Sequence, residues 1–150
     1  MNQLAHFQKR HFQTYQQWFV EDAELNRFLG PMDEEWLEHV LHEQHGYQYV
    51  WEAQGQLLAV AGIHLPNAEH PYYVLTDISV NPLLRRSGTG SMMLRFILTA
   101  HPPEGNIYWV TYVDCDNKVT QEFFSKQSWS VEEALSSADL IAYRYPTAST

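Results

Sequence analysis

The chain has 150 residues, 45 % of them apolar and 18 % charged, which is enough for one folded domain with an ordinary core. A net charge of −9 argues against phosphate-backbone binding to nucleic acid and favours cationic ligands, which an acidic surface steers inward. The longest apolar stretch, Leu57 to Ala61 with Gly62 and Ile63 after it, is too short to cross a bilayer, MNQLAHFQKR has no apolar signal core, and Cys115 is the one cysteine, so the expectation is a disulfide-free cytoplasmic protein with no membrane role.

In chain order, residues 3 to 8 read as a strand. Phe12, Tyr15, Trp18 and Phe19 then give the apolar face of a helix over 10–21. GPMDEEW reads as the start of a second helix, with Pro31 first and acids in the opening turn. Trp36, Leu37, Val40 and Leu41 form its stripe, and Gly46 serves as its C-cap. His39, His42 and His45 recur every third residue, which reads as a solvated face; no zinc motif accompanies them and no metal is expected. Tyr47 to Ala53 and Gln56 to Leu65 form a hairpin around Gln54-Gly55. Tyr72 to Val80 is the next strand, stopped by Asn81-Pro82.

Met93, Phe96, Ile97 and Ala100 predict a helix that ends at His101-Pro102-Pro103. Ile107 to Val113 is a strand and Asn117 to Lys126 a helix, and Trp129 to Leu135 and Leu140 to Tyr145 close the chain as strands. The PTAST tail from Pro146 reads as loose. The order β, α, α, β, β, β, α, β, α, β, β describes one α/β (α+β) domain over 1–150. Its sheet is mixed and mostly antiparallel, with flanking helices and one central βαβ crossover that makes 72–80 and 107–113 parallel neighbours.

The crossover passes through Arg85, Arg86, Ser87, Gly88, Thr89, Gly90 and Ser91. A tight strand-to-helix turn alone would account for the two glycines. The third glycine of a dinucleotide fingerprint is Met93 here, and the lysine of a Walker loop is missing, so neither motif is present. What remains is a helix N-terminus with open N–H groups beside two arginines in an acidic chain. That arrangement suits an anion, and a pyrophosphate fits it best.

The stretch ISVNPLLRRSGTGSMML resembles motif A of the GNAT superfamily of N-acetyltransferases, through Val80, Pro82, Arg85, Gly88 and Gly90. NKVTQEFFSKQSW is similar to the next family motif at Asn117, Phe123 and Lys126, with Trp129 as its final aromatic. The resemblance implies that acetyl-CoA, used as co-substrate, lies between strands 72–80 and 107–113. Its pantetheine arm would pair with the backbone of Ile78, Ser79 and Val80, and its pyrophosphate would rest on Arg85 to Ser91. Asn117 would hydrogen-bond the arm, and an N–H at a strand bulge near Val80 would stabilise the oxyanion. It also implies direct transfer of the acetyl group to a primary amine, a small cationic amine, an aminoglycoside or a peptide N-terminus. A homodimer is common among such proteins.

Phe124 stands where the family usually has a tyrosine near the cofactor thiol, which leaves water or Tyr112 to protonate the thiolate. Asp77 is the candidate base and His64 a weaker one. A CoA-binding module without turnover is the alternative reading. The acids Glu21, Asp22, Glu24, Asp33, Glu34 and Glu35, on the two N-terminal helical segments, are expected to wall the acceptor site.

Overall fold

A computed structural model describes residues 3–147, so most of the PTAST tail lies outside the described residues. Strand β1 (Leu4–His6) leads through a 3-10 turn into helix α1 (Phe12–Glu21). Helices α2 (Ala23–Leu29) and α3 (Glu34–Leu41) follow, then the hairpin of β2 (Gly46–Ala53) and β3 (Gln56–His64), and β4 (Tyr72–Val80). Helix α4 (Thr89–Ala100), β5 (Tyr108–Asp114), α5 (Lys118–Lys126), β6 (Ser130–Val131) and β7 (Leu140–Tyr145) complete the chain. The seven strands form one sheet in the order β1-β2-β3-β4-β5-β7-β6, antiparallel except for the β4–β5 pair.

Each face of the sheet buries its own cluster. On one face, Met93, Leu94 and Ile97 of α4 and Phe124 of α5 pack on Ala59, Ala61, Leu75, Trp109 and Val113. Those helical residues recur at the spacing that lines one stripe. On the other face, Phe12, Tyr15, Trp18 and Phe19 of α1, with Leu37 of α3, cover Val50, Leu57 and Val60. The alternation Ala59/Val60/Ala61 feeds both clusters, as strand geometry requires of a sheet covered on both sides.

Four expectations about the elements change. The second helix begins after Asp33, whose Oδ1 accepts from the Trp36 N–H at 2.9 Å; Pro31 lies before it. Gly46 is the first residue of β2, because the helix has already stopped at Leu41. Between the first two helical segments lies an unforeseen one, α2, whose cap Asp22 accepts from the N–H groups of Glu24 and Leu25. At the C-terminal end the strand expected over 129–135 is only Ser130–Val131. Glu133–Leu135 form a 3-10 turn instead.

Candidate functional site

The parallel ladder between β4 and β5 runs from Tyr72↔Tyr108 to Leu75↔Thr111 and stops there, closed by a 2.8 Å hydrogen bond from Thr111 Oγ1 to the Leu75 carbonyl. Residues 76–80 of β4 and 112–114 of β5 continue without pairing to each other, so the two strands part. The bend comes from a bulge. The β3–β4 register passes from Gly62↔Asp77 to Ile63↔Leu75 and leaves Thr76 without a partner. The family resemblance implies a bulge near Val80; the structure has one four residues earlier, where no glycine or proline marks it.

Which backbone groups face the gap follows from one hydrogen bond. The Asn81 N–H donates to the Leu58 carbonyl at 2.9 Å. Along an antiparallel strand the direction alternates, so Ser79 and Asp77 also address β3, whereas Ile78 and Val80 turn their N–H and C=O groups to the opening. Ser79 is turned away by its side chain too. It is buried, and its Oγ lies 2.8 Å from the Tyr15 hydroxyl.

Beyond β4, Asn81 holds the turn by donating to the Leu57 carbonyl at 3.0 Å and accepting from the Leu83 N–H at 3.0 Å. Arg86 (φ 62°) and Gly88 (φ 83°) are both left-handed, and α4 begins at Thr89. The first helical bond here runs from the Met92 N–H to the Gly88 carbonyl at 3.0 Å, leaving the N–H groups of the opening turn, Thr89 to Ser91, without intrahelical acceptors. Ser87 Oγ donates to the Leu84 carbonyl and lies 2.8 Å from Thr89 Oγ1. A Cβ on Gly90 would sit 3.3 Å from the Phe123 ring and 3.4 Å from Val80, so α4, β4 and α5 meet at that glycine. Gln127 ties α5 to the same turn, donating to Ser91 Oγ at 2.7 Å.

Three expected cofactor residues sit differently. Arg85 is engaged by the carboxylate of Asp22, while the side chain of Arg86 is exposed and has no ion-pair partner among the described residues. Asn117 caps α5, its Oδ1 accepting from the Thr120 N–H at 3.2 Å, which leaves its amide hydrogens for other acceptors. Phe124 is 1 % exposed and packs against Trp129 and Tyr143 with ring centroids 5.1 and 6.1 Å away. Its neighbour Phe123, one helical step round, is the ring at Gly90. The donor set present, helix N–H groups, Arg86 and an unpaired strand edge, matches an anion joined to an amide-bearing arm.

On the α1/α3 face, beside the bulge, is a cavity of about 240 Å³ lined by Trp36, His39, Val40 and Glu43, by Tyr47 and Gln48, and by residues of β3 and β4 that include His64 and Asp77. Asp77 Oδ2 accepts from Gln48 Nε2 at 2.9 Å and Oδ1 from Thr76 Oγ1 at 2.8 Å. Burial raises its pKa, and the two hydrogen bonds and the nearby His64 imidazole only partly offset that. Gly62 makes room for the group. A Cβ there would lie 2.5 Å from Asp77 Oδ1, from Gln48 Oε1 and from Thr76 Oγ1. Buried Tyr15 lies beneath, its hydroxyl pKa raised by burial and by the Asp77 charge.

Glu43 behaves oppositely to Asp77. Its Oε1 accepts from the His45 N–H at 2.8 Å, which with the surrounding imidazoles holds its pKa below the ordinary value despite partial burial. Its Oε2 lies 3.3 Å from His39 Nε2 and 3.7 Å from His64 Nε2. No local pattern points to Glu43 or Gly62, since their importance arises only where the end of α3 meets β3. The acids expected to wall an acceptor site do not line this cavity. Asp22 and Asp33 cap helices, and Glu34 and Glu35 stand exposed in the first turn of α3.

Tyr112 is the first residue of β5 beyond the ladder and is partly exposed. Its hydroxyl lies 3.4 Å from that of Tyr72, whose pKa is pushed up to about 12 by burial and then by Tyr112. Asp114, Cys115 and Asp116 bring ligand-type atoms within 4.8 Å of one another at the end of β5. These acids already have partners: Asp114 accepts from the Asp116 N–H and Asp116 pairs with Arg27 of α2 at 3.2 Å.

The sequence model of the acetyltransferase (GNAT) family matches residues 9–129. No curated protein sequence matches the chain. Among solved structures, an acetyltransferase from Thermus thermophilus superposes with a TM-score of 0.77 at 13 % identity over 96 % of both chains. A Salmonella typhimurium acetyl transferase described as modifying the N-terminal serine of the 50S ribosomal subunit protein L7/L12 gives 0.73 at 14 % identity, over 97 % of this chain and 94 % of that one. A ribosomal L7/L12 alpha-N-protein acetyltransferase in complex with coenzyme A gives 0.71 at 16 % identity, over 94 % and 91 %.

Proposed function

Because the chain belongs to the acetyltransferase (GNAT) family, and so is an acyl-CoA-dependent N-acyltransferase, we propose that it moves an acetyl group from acetyl-CoA directly to the primary amine of a small cationic acceptor. The observation that carries the proposal is the junction at Thr76. There the parting of β4 from β5, the outward-facing backbone of Ile78 and Val80, and the Asp77 cavity all meet.

Acetyl-CoA supplies the acetyl group as a reactive thioester. The open turn of Gly88 to Ser91, with Arg86 beside it, would hold the pyrophosphate. Ile78 and Val80 would pair with the pantetheine amides as one more strand edge. Asp77 would take the proton from the acceptor ammonium, since a carboxylate with a raised pKa is a better base near neutrality than an ordinary one. The amine nitrogen then bonds to the carbonyl carbon, an N–H of the splayed β4 edge stabilises the negative charge on the oxygen, and the C–S bond breaks. Tyr112 would protonate the departing thiolate and regain its proton, by way of solvent, from the nitrogen as the neutral amide forms.

The test is release of free thiol from acetyl-CoA with a panel of amines, with and without each amine. Amine-dependent release supports the reading. Acetyl-CoA binding without release for any amine removes it.

A further inference from the structure

We propose that the cavity between α3 and the β3–β4 bulge is built for an acceptor with two positive charges, a short aliphatic diamine, whose second ammonium is held by Glu43 while the first meets Asp77. The inference rests on the reading that amine transfer occurs at Asp77.

Both carboxylates line one cavity, and among the described residues no lysine or arginine lines it with them. Asp77 is bonded by Gln48 and Thr76. Glu43 is set by the His45 N–H and flanked by His39 and His64. These two imidazoles are the groups in the described lining able to carry positive charge, and a bound ammonium would take over the role of neutralising Glu43. Val40, Ile63 and Trp36 supply apolar wall to the same cavity, as a hydrocarbon spacer needs. Its volume, about 240 Å³, is below the usual range for drug-sized ligands and suits a small acceptor better than an aminoglycoside. A peptide N-terminus carries one ammonium, so its chain would bring amide groups rather than a second positive charge to Glu43.

The discriminating experiment compares diaminobutane, butylamine and a neutral tripeptide as acceptors, in wild type and Glu43→Gln. The expected result is a kcat/KM for diaminobutane roughly tenfold or more above butylamine, the scale of one hydrogen bond to a charged group. In Glu43→Gln the ratio should fall toward unity, chiefly through a higher KM for the diamine. Turnover with butylamine or the tripeptide equal to that with diaminobutane overturns this inference and leaves the transfer reading intact. Calorimetry of diaminobutane binding to the CoA-saturated protein reads the site without turnover. Binding that Glu43→Gln abolishes supports it, and no binding, or binding that ignores the substitution, overturns it. Absence of turnover with every amine removes the transfer reading itself.

Discussion

Replacing Asp77 by asparagine separates its chemistry from its architecture. Asparagine keeps the shape, and its carbonyl oxygen can still accept one of the two hydrogen bonds that now come from Gln48 and Thr76. The Gln48 amide can turn to accept from the new NH2 group, so the local frame should persist. A positioned general base contributes about 10²–10⁴-fold, and the cavity's other carboxylate, Glu43, has a lowered pKa that makes it a weaker base, so the loss in kcat should fall in that range. The wild-type rate should fall on the acid side with a midpoint above the ordinary carboxylate value, and that limb should vanish in Asp77→Asn.

Stability supplies an independent reading of the same group. Its folded pKa is raised, so its contribution is fully present below the unfolded value of about 3.9 and is lost as pH rises through the folded pKa. Asp77→Asn should therefore gain on wild type in urea denaturation between acid and neutral pH. A folded variant with kcat within about threefold of wild type, well short of the general-base range, and an unchanged acid limb would refute the assignment of the base.

Gly62→Ala places a methyl against three oxygens of the Asp77 group and should cost about 1–3 kcal/mol in urea unfolding, with a lowered kcat as Asp77 is displaced. Arg86→Gly relieves a left-handed residue, so a thermal melt should show a gain of a few tenths to about 1 kcal/mol, while calorimetry shows weaker acetyl-CoA binding because a positive charge is lost; equal binding would remove Arg86 from the anion site. Phe124→Tyr puts a hydroxyl into a fully buried ring site and should destabilise by about 1–3 kcal/mol with no gain in thiol release; a faster enzyme would place position 124 at the reacting sulfur after all.

Much of the fold is legible because its signals are local. Tyr72 to Val80 is bounded by Asn81-Pro82, and the period changes from two to three or four residues across RRSGTG, so β4 and α4 are read nearly to the residue. Helix α2 escapes because seven residues carry too short a stripe, and its cap Asp22 looks like one more acid in a run of them. Gly46 resembles a helix stop only because strand β2 cannot be seen to begin there.

The site divides the same way. The loop from Arg86 to Ser91 is contiguous and stands out from the chain. The bulge at Thr76, the Gly62 allowance and the Glu43–His64 contact depend on which strands lie side by side, and that is tertiary information. Arg85 shows the limit of motif reading. Its charge is where the pattern wants it, yet Asp22, far earlier in the chain, holds its guanidinium.

The most direct test is mass spectrometry of the acceptor after incubation of the purified protein with acetyl-CoA and diaminobutane, beside a control without protein. The expected result is an acceptor heavier by one acetyl group, formed in step with free CoA and lost in Asp77→Asn. Unmodified acceptor in every sample, from protein that binds acetyl-CoA, would contradict it.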